Sequence, residues 1–353
     1  MANYITRVGC QQVQPNQNAG TSTSTNTITA TGSLADCFWG GFITDSTATS
    51  AAPILATRLT ASTTLTSTRN SSSVISTDGI SVIDGTSNLY KSIQYVTASW
   101  VAGLGVFPII NAVNLSYATV HILGINSAGT TSSTIFPYAS FTDSTHLAVI
   151  VQASTTATVY LVVKEYEPTC MAQAVQAVTP TWTTGTTKTA TITSVNTNNA
   201  LTINAGFTAN QAGINSAQCL QYGQLTNSTT YTVTVNTSGT ASKENNAFIV
   251  EFNSGVLAQS VQRGTAIILS ASTGGGVTIS PAPLPQSILS HLGNIVDSTA
   301  GNQDRTRIYG YLSNSTTVQY LSYSTLNNKT ASYEVATWPA YVDQDALWFG
   351  MTF

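Results

Sequence analysis

The sequence predicts an all-β chain built from four tandem antiparallel β-sandwich modules of about 80 residues each. Three observations predict it. A six-residue phrase returns four times at nearly even spacing, apolar residues alternate with hydroxyl residues along much of the chain, and clusters of Ser, Thr, Asn and Gly interrupt the alternation at short intervals.

The phrase reads Leu59-Thr60-Ala61-Ser62-Thr63-Thr64, Phe141-Thr142-Asp143-Ser144-Thr145-His146, Leu225-Thr226-Asn227-Ser228-Thr229-Thr230 and Leu312-Ser313-Asn314-Ser315-Thr316-Thr317, with starts 82, 84 and 87 residues apart. Its surroundings recur in order. Ala56, Tyr138, Tyr222 and Tyr309 stand three residues before each start, and Gly41, Gly124, Gly206 and Gly293 stand 17 to 19 residues before. Matching offsets for several landmarks, more than any one short match in a Ser/Thr-rich chain, define a repeat.

These landmarks divide the chain into residues 1–88 (module one with an N-terminal arm), 89–168, 169–254 and 255–339, followed by an aromatic tail at 340–353. Each module opens on a strand-like leader, such as Ser92-Ile93-Gln94-Tyr95-Val96, and ends on a closing run, such as Phe248-Ile249-Val250-Glu251-Phe252. In Tyr231-Thr232-Val233-Thr234-Val235 the odd positions are apolar and the even ones carry hydroxyls, the signature of a strand with one face inward. Asn236-Thr237-Ser238-Gly239 and Thr273-Gly274-Gly275-Gly276 supply turn chemistry. One weakly helical stretch, Met171 to Val178, lies beside Pro180, and no substantial helix is expected. Closing runs lead almost directly into the next leader, which favours a rigid array. A module this small is marginal alone, so neighbours should supply part of each core.

Charged residues make up only 7% of the chain, against roughly 25% in average domains. The 42% apolar content is enough for packed interiors. Eleven Lys plus Arg, scattered singly, and a net charge of −3 form no basic patch, which argues against nucleic-acid binding. Such a neutral polar exterior suits close protein packing or contact with sugars. No apolar run of about 18 residues is present, so no membrane insertion is expected, and Met1 to Arg7 lacks the apolar core of a secretory signal.

No catalytic constellation assembles in the sequence, and the expectation is a protein that is not an enzyme and uses no metal and no cofactor. His121, His146 and His291 have no neighbouring ligand at metal spacing, and Gly103-Leu104-Gly105 lacks the rest of a dinucleotide fingerprint. The acidic residues Asp84, Glu165, Glu251 and Glu334 fall in closing runs, which is an architectural placement. Trp39, Trp100 and Trp182 are candidates for stacking against a sugar, whereas the Tyr that recurs before the phrase points to packing. In the tail, Trp348, Phe349 and Phe353 are candidate docking residues, the alternative being a cap on module four. Cys10 and Cys170 both sit in segments leading into a module; they are read either as reduced buried thiols or as cross-links between subunits.

Several of these stretches look familiar together. Val261-Gln262-Arg263-Gly264-Thr265-Ala266 followed by a Val-Thr-Ile strand, Thr191 to Asn196 leading to Gly206-Phe207, the Leu-Thr-Asn-Ser-Thr-Thr phrase and Phe248 to Phe252 resemble repeat modules in virion accessory and fibre proteins of tailed bacteriophages, similar in layout to the H-type lectin sandwich. The resemblance implies a non-enzymatic virion component at the particle surface, in a head-decoration, collar or short-fibre role. It implies multiple copies forming a homo-oligomer, other virion proteins of capsid, neck or tail as partners, and assembly in the host cytoplasm. Two rival readings are a tail receptor-binding protein that grips host glycans and a depolymerase using a carboxylate pair.

Overall fold

The computed structural model describes residues 8–13, 16–17, 23–27, 35–45, 56–68, 75–85, 89–101, 105–127, 137–151, 156–210, 220–236, 242–297, 308–322 and 327–339. It is all-β, with four antiparallel sandwich modules that follow one another along the chain. Module one contains β1 (Val8–Val13), β2 (Asn16–Gln17), β3 (Thr23–Thr27), β4 (Ala35–Asp45), β5 (Ala56–Ala61), β6 (Thr64–Thr68) and β7 (Ile75–Gly85). Module two contains β8 (Tyr90–Trp100), β9 (Ala118–Ser127), β10 (Pro137–Phe141), β11 (Leu147–Val151) and β12 (Ala157–Tyr166). Module three contains β13 (Gln176–Val178), β14 (Thr181–Trp182), β15 (Thr187–Thr191), β16 (Ala200–Asn210), β17 (Gln221–Asn227), β18 (Thr230–Val235) and β19 (Ser242–Glu251). Module four contains β20 (Gln262–Ile268), β21 (Gly274–Thr278), β22 (Ser287–Val296), β23 (Tyr309–Asn314), β24 (Thr317–Leu321) and β25 (Lys329–Thr337).

Every module repeats one wiring. The closing strand lies between the leader and the long glycine-bearing strand, as in β8-β12-β9 and β20-β25-β22. The two strands flanking the recurring phrase form a hairpin that pairs with the segment before the long strand, as in β15-β18-β17. These two three-stranded layers face each other. In module three, Val178, Ala247 and Ile249 of one layer meet Leu225, Tyr231 and Val233 of the other in one apolar cluster. Alternation accounts for this, since the odd residues of β18 are buried and the even ones half-buried.

Modules are joined by sheet continuation. The first hairpin strand of one module pairs with the long strand of the next, Tyr138 opposite Gly206 and Tyr222 opposite Gly293. The same pairing sets Tyr309 of module four opposite Gly41 of module one. Three six- or seven-stranded sheets result. At the remaining junction β5 packs beside β9, with Leu59 and Leu65 against Leu123 and Val162. The long strands β4, β9, β16 and β22 also touch one another in that cyclic order. The four modules therefore close into a ring with the order one, two, three, four, one.

The cores are shared, as expected for units this small. A single apolar cluster runs from Cys10 of module one through Tyr90, Tyr166 and Phe252 to Ile288 and Trp338 of module four. Met171 to Val178 is not helical: Met171 bridges to Phe252, and Gln176–Val178 pairs with β19, so sheet partners override the weak local preference.

Candidate functional site

The recurring phrase turns out to be a fastener. In three modules its third residue closes a turn with its side chain. Asn227 Oδ1 accepts from Thr229 N at 2.9 Å, Asn314 Oδ1 from Thr316 N at 2.8 Å, and Asp143 Oδ1 from Thr145 N at 2.7 Å. The carbonyls of the next two residues then accept from the neighbouring segment. Val195 and Ile192 donate to Ser228 and Thr229, Ala282 and Ile279 to Ser315 and Thr316, and Val113 and Ile110 to Ser144 and Thr145. Asp143 is held down at about 2 by the Thr145 N–H and by hydrogen bonds from His146 and the Thr145 hydroxyl.

A second fastener, not singled out in the sequence, is a glutamine in the leader. The Gln94 amide donates to Asn111 O at 3.0 Å and accepts from Asn111 N at 2.7 Å; Gln176 does the same with Thr193, and Gln262 with Ser280. Gln11 holds the same register opposite Val82, as Gln94 does opposite Val163. The signal was a Gln 47 to 50 residues before the phrase in all four modules. Leaders read singly conceal it.

The closing-run carboxylates are architectural but not all equivalent. Glu165 and Glu251 stand opposite Ala118 and Ala200 and accept from the backbone N–H of Asn114 at 3.2 Å and of Asn196 at 2.8 Å. Thr337, opposite Ser287, takes that place in module four. Glu334 lies three residues earlier, fully buried at the junction of modules three and four. It accepts from Thr202 N at 2.6 Å, Thr202 Oγ1 at 3.0 Å and Arg263 Nε at 2.7 Å, while Arg263 also donates to Thr197 O and Ala200 O. Across the preceding junction, Glu244 and Tyr138 share a hydrogen bond, and burial raises the Glu244 carboxyl.

Two of the three tryptophan candidates for sugar stacking offer no free face. Trp100 and Trp182 are buried, in the cores of modules two and three. Trp39 lies on β4 opposite Ile80. The docking candidates Trp348, Phe349 and Phe353 lie outside the described residues. Cys10 and Cys170 are both buried in the shared core, and burial pushes the Cys10 thiol far up and the Cys170 thiol to about 11. That placement withholds both sulfurs from another subunit. His291 is buried, with Nδ1 3.3 Å from the Tyr320 hydroxyl, and burial lowers it to about 4, so it is neutral. Among the described residues no group of three or more His, Cys, Asp and Glu gathers to hold a metal.

In module two a groove of about 670 Å³ opens between β8 and the segment before β9, lined by Ile93, Gln94, Tyr95, Thr97, Ile109 and Asn111, with the Gln94–Asn111 clamp across it. Pro108 O and Ile110 N bond inward to Leu147 and Thr145, so antiparallel geometry turns the backbone of Phe107 and Ile109 toward the open side. Phe107 is 60% and Ile109 77% exposed. Tyr95 is the ionisable side chain among the lining residues, and the exposed surface of the groove is more polar than apolar.

Neither family models, nor curated proteins, nor solved structures match this chain.

Proposed function

We propose that this chain is a non-enzymatic structural protein of a tailed-bacteriophage virion, displayed at the particle surface as a head-decoration, collar or short-fibre component. The observation that supports the reading is how the repeated polar residues are used. The phrase, the leader glutamine, the Tyr–Gly pairing and the closing-run carboxylates all hold strands and modules to one another. A chain whose recurring chemistry is directed inward in this way is suited to filling and bridging by shape. The sparse charge of the exterior fits close contact with other virion proteins.

The test is to locate the chain on purified particles by mass spectrometry and by imaging with a specific antibody. Retention on the particle after a mild salt wash, at a copy number matching head or neck symmetry, is expected. Release of reducing sugar from host polysaccharide by the purified protein, abolished by a single carboxylate substitution, would replace this reading with the depolymerase one.

A further inference from the structure

We propose that the ring is split: it opens between modules one and two while the other three junctions stay shut. Opening of this kind belongs to the single chain and does not depend on where the chain is displayed.

The shut junctions are made by residues that a long strand withholds from its own closing strand. In β16 the register passes from Asn204 to Phe207, in β22 from His291 to Asn294 and in β4 from Trp39 to Phe42, so two residues of each go unpaired within the module. The second of the two is Gly206, Gly293 or Gly41, which pairs instead with Tyr138, Tyr222 or Tyr309 of the preceding module in the ring. In β19 and β25 one residue of the closing strand is skipped at the same place, and its side chain reaches across as well. Asn246 donates to Ala139 O, and Ser332 Oγ donates to Gln224 Oε1 at 3.1 Å.

The junction of modules one and two departs from this rule on both sides. In β9 only Leu123 is skipped: Ile122 stands opposite Leu161 and Gly124 opposite Tyr160, so the glycine stays with its own closing strand and β12 withholds nothing. On the other side the residue three before the phrase is Ala56 in place of Tyr. Among the described residues β5 and β9 therefore end two separate three-stranded sheets, where each other junction joins two modules in one sheet. Leu123 enters the seam as a side chain, against Leu59, Leu65 and Val162. Arg58 bridges the seam, its guanidinium 4.7 Å over the Tyr160 ring and Nη1 donating to Thr97 Oγ1 at 2.9 Å. Parting this seam costs a small apolar patch and one cation–π contact; parting any other breaks backbone pairing between strands.

Module one moves with module four when the seam opens. Besides the Tyr309–Gly41 pairing, β1 lies against Leu284–Gln286 and β22 of module four. The chain still runs from β7 to β8 across the seam, so modules one and two stay tethered.

The experiment is hydrogen exchange on the full chain, read peptide by peptide by mass spectrometry. β9 is expected to exchange at least about tenfold faster than its equivalents β16 and β22, while β12 of the same module stays as protected as β19 and β25. That contrast separates an opening seam from a loose module two. Arg58→Ala is expected to speed exchange of β9 by a further two- to fivefold or about that, the size of an exposed cation–π contact, and to leave β16 and β22 unchanged. Tyr160→Leu removes the other side of the contact and gives the same shift, and circular dichroism checks that both variants keep the native sheet signal. Protection of β9 equal to that of β16 and β22, loss of β12 protection along with β9, or exchange that both variants leave unchanged or raise equally at every junction would each overturn the proposal.

Discussion

Tyr309 of the fourth module stands opposite Gly41 of the first, repeating across the closure the contact that sets Tyr138 against Gly206 and Tyr222 against Gly293. The last module thus meets the first as the second meets the third and the third meets the fourth. Linear repeat arrays leave two end modules with unmatched faces. Here closure covers both, which explains how modules of about 80 residues with few charges persist without polar capping units.

The first prediction follows from the glycine side of this contact. Gly206 has φ +98° and Gly293 φ +109°, and a Cβ there would lie 2.1 Å from Pro137 O and 2.2 Å from Gln221 O respectively. Both the backbone conformation and the approach of the neighbouring strand forbid a side chain. Gly206→Val and Gly293→Val are each expected to cost about 3 kcal/mol or more, at the upper end of single-substitution effects. Urea denaturation measures it; a midpoint unchanged from the wild type would mean the junction yields freely.

The strand content and the module count could be read from the sequence because both rest on local pattern: alternation in Tyr231 to Val235, and turn chemistry in Asn227-Ser228-Thr229. The recurring Gly and Tyr were visible too, but not their meeting, because they pair between modules. Gly41 and Tyr309 are far apart in sequence, and nothing in either's neighbourhood names the other. That Glu165, Glu251 and Glu334 fall in closing runs was legible, but not which of them share a register, because cross-strand partners set it and put Thr337 in the place of Glu165 and Glu251. Trp100 and Trp182 were candidates for sugar stacking as large aromatics alone, yet alternation turns both inward. The groove in module two was hidden because its floor joins two separate segments through the Gln94 amide.

A second prediction concerns the Arg263–Glu334 pair. The carboxylate is fully buried, and its remaining acceptor capacity is used by Thr202 of module three. Removing one partner leaves the other charge in the junction without compensation. Arg263→Met is therefore expected to destabilise by about 3–5 kcal/mol. Replacing both, Arg263→Met with Glu334→Leu, should recover much of that loss. A double-mutant cycle by denaturation reads the coupling, and additive losses would show that the pair does not act as a unit.

The thiols give a third. Cys10 and Cys170 are buried, and the Cys170 thiol is pushed up to about 11, so little thiolate is present at neutral pH and little of it can be reached. Iodoacetamide labelling of the native protein, followed by peptide mass spectrometry, should leave both sites unmodified until denaturant is added. Rapid native labelling, or a dimer on non-reducing gels that traces to either residue, would restore the cross-linking role.

The last prediction is a pH dependence set by His291. In the folded chain burial holds its imidazole near 4, well below the usual value near 6.5. The unfolded chain therefore binds a proton at this residue between those limits while the folded chain does not, and stability falls wherever the unfolded state binds more protons. The contribution is complete above about pH 6.5 and is lost progressively as the pH drops toward 4. Over that window it amounts to about 3 kcal/mol at most, from roughly 1.4 kcal/mol for each unit of difference. Glu244, whose carboxyl is raised by burial, works in the opposite direction, because its protonation favours the folded state as the pH falls. The two are separated by comparing wild type with His291→Gln, which keeps an acceptor for the Tyr320 hydroxyl and removes the titration. Denaturation midpoints of the two proteins should converge as the pH is lowered from 7 to 4, the wild type losing its advantage. Parallel curves across that range would mean that His291 takes up its proton without disturbing the fold.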